Sequence, residues 1–187
     1  MITLLLGLAI FFGVHTVPMF RNVRASLVAR LGEPRFQGIY AVFALTGFAL
    51  IMLGTSRADF VPVWTPPAWS RLLANLVMPI AFCLFLAAFI PNNFRRVIRH
   101  PMLTGVALWA VSHLLANGDL ASILLFASFG TFAIVDMISV NRRGPAEVPE
   151  KKPLSADLRV LGLGLVAFWI VRHYHVALFG VSGMPAP

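Results

Sequence analysis

The chain has 187 residues, of which 59% are hydrophobic and only 12% are charged, and its mean hydropathy is +0.84. This composition lies far outside the range of water-soluble domains and predicts an integral membrane protein. A membrane protein uses excess Arg and Lys for orientation and lipid contact, so the net charge of +8 does not indicate nucleic-acid binding.

The apolar residues form long runs of Leu, Val, Ala and Phe, which are typical of transmembrane helices and not of the alternating strands of an outer-membrane barrel. We therefore predict an all-α fold, a polytopic membrane helical bundle of about six transmembrane helices that forms one domain over residues 1–187. The predicted spans, in chain order, are residues 2–20, 36–56, 72–90, 102–116, 120–140 and 158–179.

The segments between the spans have distinct sequence patterns, which predict a surface helix, an interfacial corner, a tight turn and a loop. Arginines alternate with apolar residues over 21–32, which predicts a short amphipathic helix at the headgroup level. Two tryptophans and two prolines within residues 64–69 predict a structured corner at the membrane interface. The turn Asn117-Gly118-Asp119, with Asp119 as a helix cap, makes the fourth and fifth spans an antiparallel hairpin. Residues 141–157 are predicted to form a flexible cytoplasmic loop.

The distribution of basic residues predicts the orientation. Six spans place alternate loops on opposite sides, and twelve of the 15 Arg and Lys residues fall in the first, third and fifth loops. By the positive-inside rule these loops are cytoplasmic and both termini are periplasmic. The size and composition favour a bacterial inner membrane.

Two histidines lie inside predicted spans. Gly105, Trp109 and His113 follow one another at intervals of four residues, so they share a helix face that offers a notch, a flat ring and a ligand nitrogen. His15 lies in the first span. Two imidazoles from different helices are a common way for a membrane bundle to hold haem b. The alternative is that each histidine only forms a hydrogen bond within the bundle.

Arg99 and His100 precede Pro101 at the start of the fourth span, where the helix dipole adds to their positive charge. They could bind an anion such as a phosphate, a lipid headgroup or the haem propionates; the alternative is that they face lipid phosphates and only set orientation. Cys83, the single cysteine, is interpreted as a small packing residue. No motif for hydrolysis, for phosphate binding by a glycine loop or for cysteine metal ligation is present.

The sequence resembles the NnrU family of bacterial membrane proteins at Arg99-His100-Pro101, Gly105, Trp109, His113 and Asn117-Gly118. The resemblance extends to His15 and Thr16, to residues 64–69 and to the tail 175–181. It implies an association with denitrification, namely with the expression of nitrite and nitric oxide reductases. The wider superfamily includes 15-cis-zeta-carotene isomerase, a haem b membrane enzyme with histidine ligands and redox-dependent activity.

The resemblance also implies roles for particular residues. His15 and His113 correspond to axial haem ligands, and His100 to a histidine that assists the haem or an apolar substrate. We therefore expect a haem-binding inner-membrane protein, linked to denitrification or to redox-gated isomerisation of an apolar small molecule; whether it is an enzyme stays open.

Two other functions remain. One is a haem-free assembly or regulatory factor whose histidines only pack the bundle. The other is a membrane methyltransferase of the isoprenylcysteine type, which the Arg-His-Pro start also resembles. That family carries paired glutamates where this chain has Asp136 and Asn141-Arg142-Arg143.

Overall fold

The computed structural model describes residues 1–144 and 148–179 and is built from α-helices, which confirms the predicted fold class. The helices are α1 (Ile2–Thr16), followed by a 3-10 turn (Val17–Met19), α2 (Arg21–Leu31), α3 (Glu33–Ser56), α4 (Ser70–Ala87), α5 (Phe94–Val97), α6 (Pro101–Ala116), α7 (Leu120–Asn141), α8 (Leu154–His173) and α9 (His175–Phe179).

Five of these segments are long and apolar enough to cross a membrane: α1 with its 3-10 turn, α3, α4, α7 and α8. The fourth predicted span is α6, which is apolar but has only 16 residues and is therefore about 24 Å long, shorter than a typical hydrocarbon core. Large apolar side chains such as Val42, Leu76 and Trp169 remain exposed on the helices. These surfaces suit contact with membrane lipid.

The last predicted span differs most from the structure. Its helix starts at Leu154 and ends at His173, so the prediction of 158–179 was shifted towards the C-terminus, and residues 175–179 form the separate helix α9. The earlier start follows Pro153, after which Asp157 in the first turn accepts two hydrogen bonds from Asn93. Residues 145–147 of the predicted flexible loop and 180–181 of the tail motif lie outside the described residues.

The chain divides into two compact units, residues 1–61 and 62–187, and the prediction of a single domain remains a prediction. In the first unit α1 and α3 run antiparallel in close contact. A Cβ atom added at Gly47 would lie 2.7 Å from the Phe11 nitrogen, and one added at Gly54 would overlap the backbone of Leu4. Such distances leave no room for a side chain, so these glycines let the two backbones touch.

The second unit is a row of four helices in the order α8, α4, α6, α7. Glycine again permits close contact on both sides of α4. A Cβ atom at Gly105 of α6 would lie 2.7 Å from the Ala81 carbonyl oxygen of α4, and one at Gly164 of α8 would lie 2.7 Å from Cys83 Sγ. Cys83 is buried against this glycine, which agrees with its interpretation as a packing residue.

The tryptophan and proline corner covers the turn between α6 and α7. The backbone N–H groups of Val63 and Trp64 donate to the Gly118 carbonyl at 2.8 and 3.1 Å, and Trp64 Nε1 donates to the Asn117 carbonyl. Asp119 caps α7 as predicted, because its carboxylate accepts from the Ser122 N–H at 3.0 Å. The corner is therefore tied to the end of α6.

We predict opposite effects for alanine at two glycines of the first unit. Gly47→Ala should lower the free energy of unfolding by about 1–3 kcal/mol, because the new methyl group overlaps α1. Gly13→Ala meets no atom within 4 Å and should raise it by up to about 1 kcal/mol through helix propensity. Unfolding followed by circular dichroism in mixed detergent and SDS micelles measures both values, and effects of the same sign would contradict the packing described.

Candidate functional site

His113 lies half-buried in the last turn of α6 with its ring held in place. Its Nδ1 is 2.9 Å from the Trp109 carbonyl oxygen, and because a carbonyl only accepts, Nδ1 carries the proton and donates. The ring centre is 4.7 Å from that of Phe126 on α7 and 5.6 Å from that of Trp109. One hydrogen bond and two aromatic neighbours therefore fix the direction in which Nε2 points.

Trp109 forms the centre of an aromatic group between α6 and α7. It makes edge contacts with Phe126 at 4.9 Å and with Phe129 at 5.3 Å. Gly105 does not join this group, because the backbone of α4 occupies the space beside it. Trp109 and His113 lie close together in the structure, whereas the notch predicted at Gly105 is filled by the backbone of α4.

His15 of α1 has the same local arrangement in the first unit. Its Nδ1 is 2.7 Å from the Phe11 carbonyl oxygen, and its ring stacks on Phe11 at 4.1 Å. Tyr40 of α3 packs edge-on against it at 5.3 Å. Each span histidine therefore bonds to the carbonyl of an aromatic residue four positions earlier and packs against an aromatic ring of a neighbouring helix.

This arrangement suits a metal-ligating histidine. A proton on Nδ1 leaves Nε2 with the lone pair in neutral imidazole, and ligating histidines usually donate their other N–H to a carbonyl or carboxylate. Among the described residues, no group of three or more His, Cys, Asp or Glu side chains is arranged to hold a metal ion. The chemistry available at each position is therefore that of a single imidazole beside flat aromatic surfaces.

Arg99 and His100 lie at the opposite end of α6 and contact the end of α7. His100 Nε2 donates to Asn141 Oδ1 at 2.9 Å, and the Arg99 guanidinium donates to the Gly144 carbonyl. Thirteen residues of helix separate His100 from His113, a distance of about 20 Å. His100 is therefore too far away to share an iron atom with His113, and the site residues of α6 form two groups.

Sequence reasoning missed the aromatic residues that hold the two imidazoles, Phe126 and Tyr40. The sequence does carry a signal for Phe126. In a helical hairpin, residues at similar distances before and after the turn lie close together, and His113 and Phe126 lie on either side of the turn between α6 and α7. His175, at the start of α9, was assigned no ligand role, yet it lies within electrostatic range of His113. Nothing in the spacing along the chain indicated that proximity.

The family model described as NnrU protein matches residues 3–183. The chain belongs to the NnrU family. The match includes the corner at residues 64–69 and both histidines with the aromatic residues that precede them, so these features lie within the NnrU region of the chain. Neither the curated proteins nor the solved structures gave a match.

We predict that His100 and Asn141 are energetically coupled. His100→Ala and Asn141→Ala each remove the same hydrogen bond, so the double variant should be less destabilised than the sum of the two single variants by about 0.5–1.5 kcal/mol. The free energies of unfolding in mixed micelles give this coupling. His100→Ala combined with Ser112→Ala is the control, because Ser112 bonds to Leu108 in its own helix. Additive effects for His100 and Asn141 would refute the contact.

Proposed function

We propose that this NnrU family protein binds haem b and that His15 and His113 are its axial-ligand candidates. The observation that carries the proposal is the shared hydrogen bond from Nδ1 to the carbonyl of the aromatic residue four positions earlier. This bond selects the tautomer in which Nε2 can ligate a metal. The contacts that support His15 lie within the first unit, and those that support His113 lie within the second.

The surroundings of both residues fit a planar, largely apolar group. The neighbours of the His113 ring are Trp109 and Phe126, and those of the His15 ring are Phe11 and Tyr40. Bound haem b would supply one-electron redox chemistry and an iron coordination position. The chain would contribute the ligand nitrogens, hold their orientation and keep water away with apolar helices.

The biological role proposed with haem binding is support of denitrification or redox-gated isomerisation of an apolar small molecule in a bacterial inner membrane. A membrane-embedded site favours an apolar substrate, because such a molecule reaches the site through the lipid phase. The concentration of Arg and Lys in alternate loops supports periplasmic termini.

A haem-free assembly or regulatory factor is the second candidate, and one observation favours it. The carbonyl bonds and aromatic contacts of His15 and His113 would also satisfy a purely structural histidine in an apolar helix. The two functions therefore differ in whether Nε2 ligates iron, which can be measured directly.

We predict that the purified protein in mild detergent has a Soret band and yields a haem b pyridine haemochrome. His113→Ala and His15→Ala should each lower the bound haem or convert a low-spin spectrum to a high-spin one, because an axial nitrogen is lost. Oxidised and reduced absorption spectra, with the haem content per protein, measure the effect.

His173→Ala is the matched control, since His173 also stacks on an aromatic residue four positions earlier, Trp169, but is exposed at the end of α8. Its spectrum should equal that of the wild type. Absence of haem after reconstitution with hemin would refute haem binding and leave the haem-free factor. A wild-type spectrum in both ligand variants would refute the residue assignment alone.

A further inference from the structure

A groove of about 400 Å³ runs along one face of α3 in the first unit. It is lined by Arg35, Gly38, Ile39, Val42 and Phe43. These residues are spaced by three, four, seven and eight positions from Arg35, so they form one stripe of the helix. The surface of the groove is therefore almost entirely apolar, and the Arg35 side chain lies at one end of it.

Arg35 is the cation that remains available at this end. Within the described part of the chain, its guanidinium forms no hydrogen bond or ion pair. Arg24 differs, because its Nη2 atom is 2.7 Å from Glu33 Oε1 and its guanidinium lies over the Phe36 ring. Glu33 also accepts from Gln37, so the acid nearest to Arg35 in the sequence is already used.

The apolar part of the groove is open because of Gly38. A Cβ atom added at this position would meet no atom within 4 Å. The apolar side chains below it are accessible, with 46% of Ile39, 63% of Val42 and 52% of Phe43 exposed. Such a surface can accommodate a hydrocarbon chain lying along the helix.

The groove and its Arg35 end match one leaflet of a membrane, which is charged at its headgroups and apolar along its acyl chains. Arg35 lies in the first turn of α3, next to the arginine-rich helix α2 and the turn at Gly32. Phe43 lies eight residues further along, about 12 Å deeper if α3 crosses the bilayer. A charged end at the headgroup level, with apolar surface below it, complements a phospholipid molecule.

We propose that this groove is a binding site for an anionic glycerophospholipid, whose phosphate pairs with Arg35 and whose acyl chain lies over Gly38 against Val42 and Phe43. Arginine suits phosphate because its planar guanidinium can donate two parallel hydrogen bonds. A free phosphate would use Arg35 only and would gain nothing from the apolar groove, so the lipid is the ligand that uses both parts.

The test uses the full chain in phosphatidylcholine vesicles that contain a small fraction of phosphatidylglycerol with a photoreactive diazirine on its acyl chain. Crosslinked peptides are quantified by mass spectrometry at residues 39–43. The exposed face of α8 around Gly162 serves as an internal standard for lipid that contacts the protein without a site. Wild type should label the groove more strongly than this standard.

Arg35→Gln should reduce labelling of the groove about fivefold, the factor expected for one Arg near an anionic headgroup. Gly38→Leu should reduce it by a similar factor, because the new side chain fills the groove. Leucine at an open helix position is favoured over glycine, so this variant should fold at least as well as the wild type. Its unfolding midpoint verifies that point.

Two matched variants serve as controls. Arg30→Gln removes an exposed charge from α2 outside the groove, and Gly162→Leu adds the same side chain at another open helical glycine. Both should leave labelling of residues 39–43 unchanged when it is expressed per molecule of protein, a measure that does not depend on the α8 standard, and added glycerol phosphate should not compete with the lipid.

Three results would overturn the proposal. Equal labelling of the groove and of α8 in every variant would mean annular lipid only. A loss in Arg35→Gln without a loss in Gly38→Leu would mean surface attraction without a groove. Competition by glycerol phosphate would identify a site for a soluble phosphate. A zwitterionic probe with the same diazirine chain should label the groove less than the anionic probe.

Discussion

Close approach of helix backbones at glycine is the contact on which both units depend. Lipid offers no hydrophobic gain for bringing two apolar helices together, so packing must come from short-range contact. Gly47 and Gly54 provide that contact between α1 and α3, and Gly105 and Gly164 provide it on either side of α4. The positions of both histidines follow from these contacts, because α1 and α6 are among the helices so packed.

Polar side chains within these helices are mostly satisfied by their own backbone. Thr55, Ser112, His15 and His113 each bond to the carbonyl four residues earlier. A hydroxyl group has one proton to donate, and this bond uses it, whereas an imidazole that donates from Nδ1 still has a second ring nitrogen, Nε2. The same local geometry therefore makes threonine and serine inert in an apolar helix and leaves histidine able to act as a ligand.

The sequence was sufficient for features set by short-range patterns. Apolar runs predicted the spans, and Asn117-Gly118-Asp119 predicted the hairpin with its cap. Spacing along α6 placed Trp109 and His113 on one face, but it could not reveal that α4 fills the space beside Gly105. The start of α8 was also missed, because it involves hydrogen bonds between Asn93 and Asp157, which are 64 residues apart. Long-range contacts of this kind leave no periodic signal.

The contact between the corner at residues 64–69 and the turn after α6 has a consequence for the order of folding. The Trp64 indole and the Asn117 carbonyl are 53 residues apart in the chain. A ribosome therefore makes the corner before it makes the turn, so the backbone donors of Val63 and Trp64 lack their Gly118 acceptor until that residue has been added. Tryptophan suits this position before the turn is made, because its ring is stable at the headgroup level of a membrane while its N–H group contacts water.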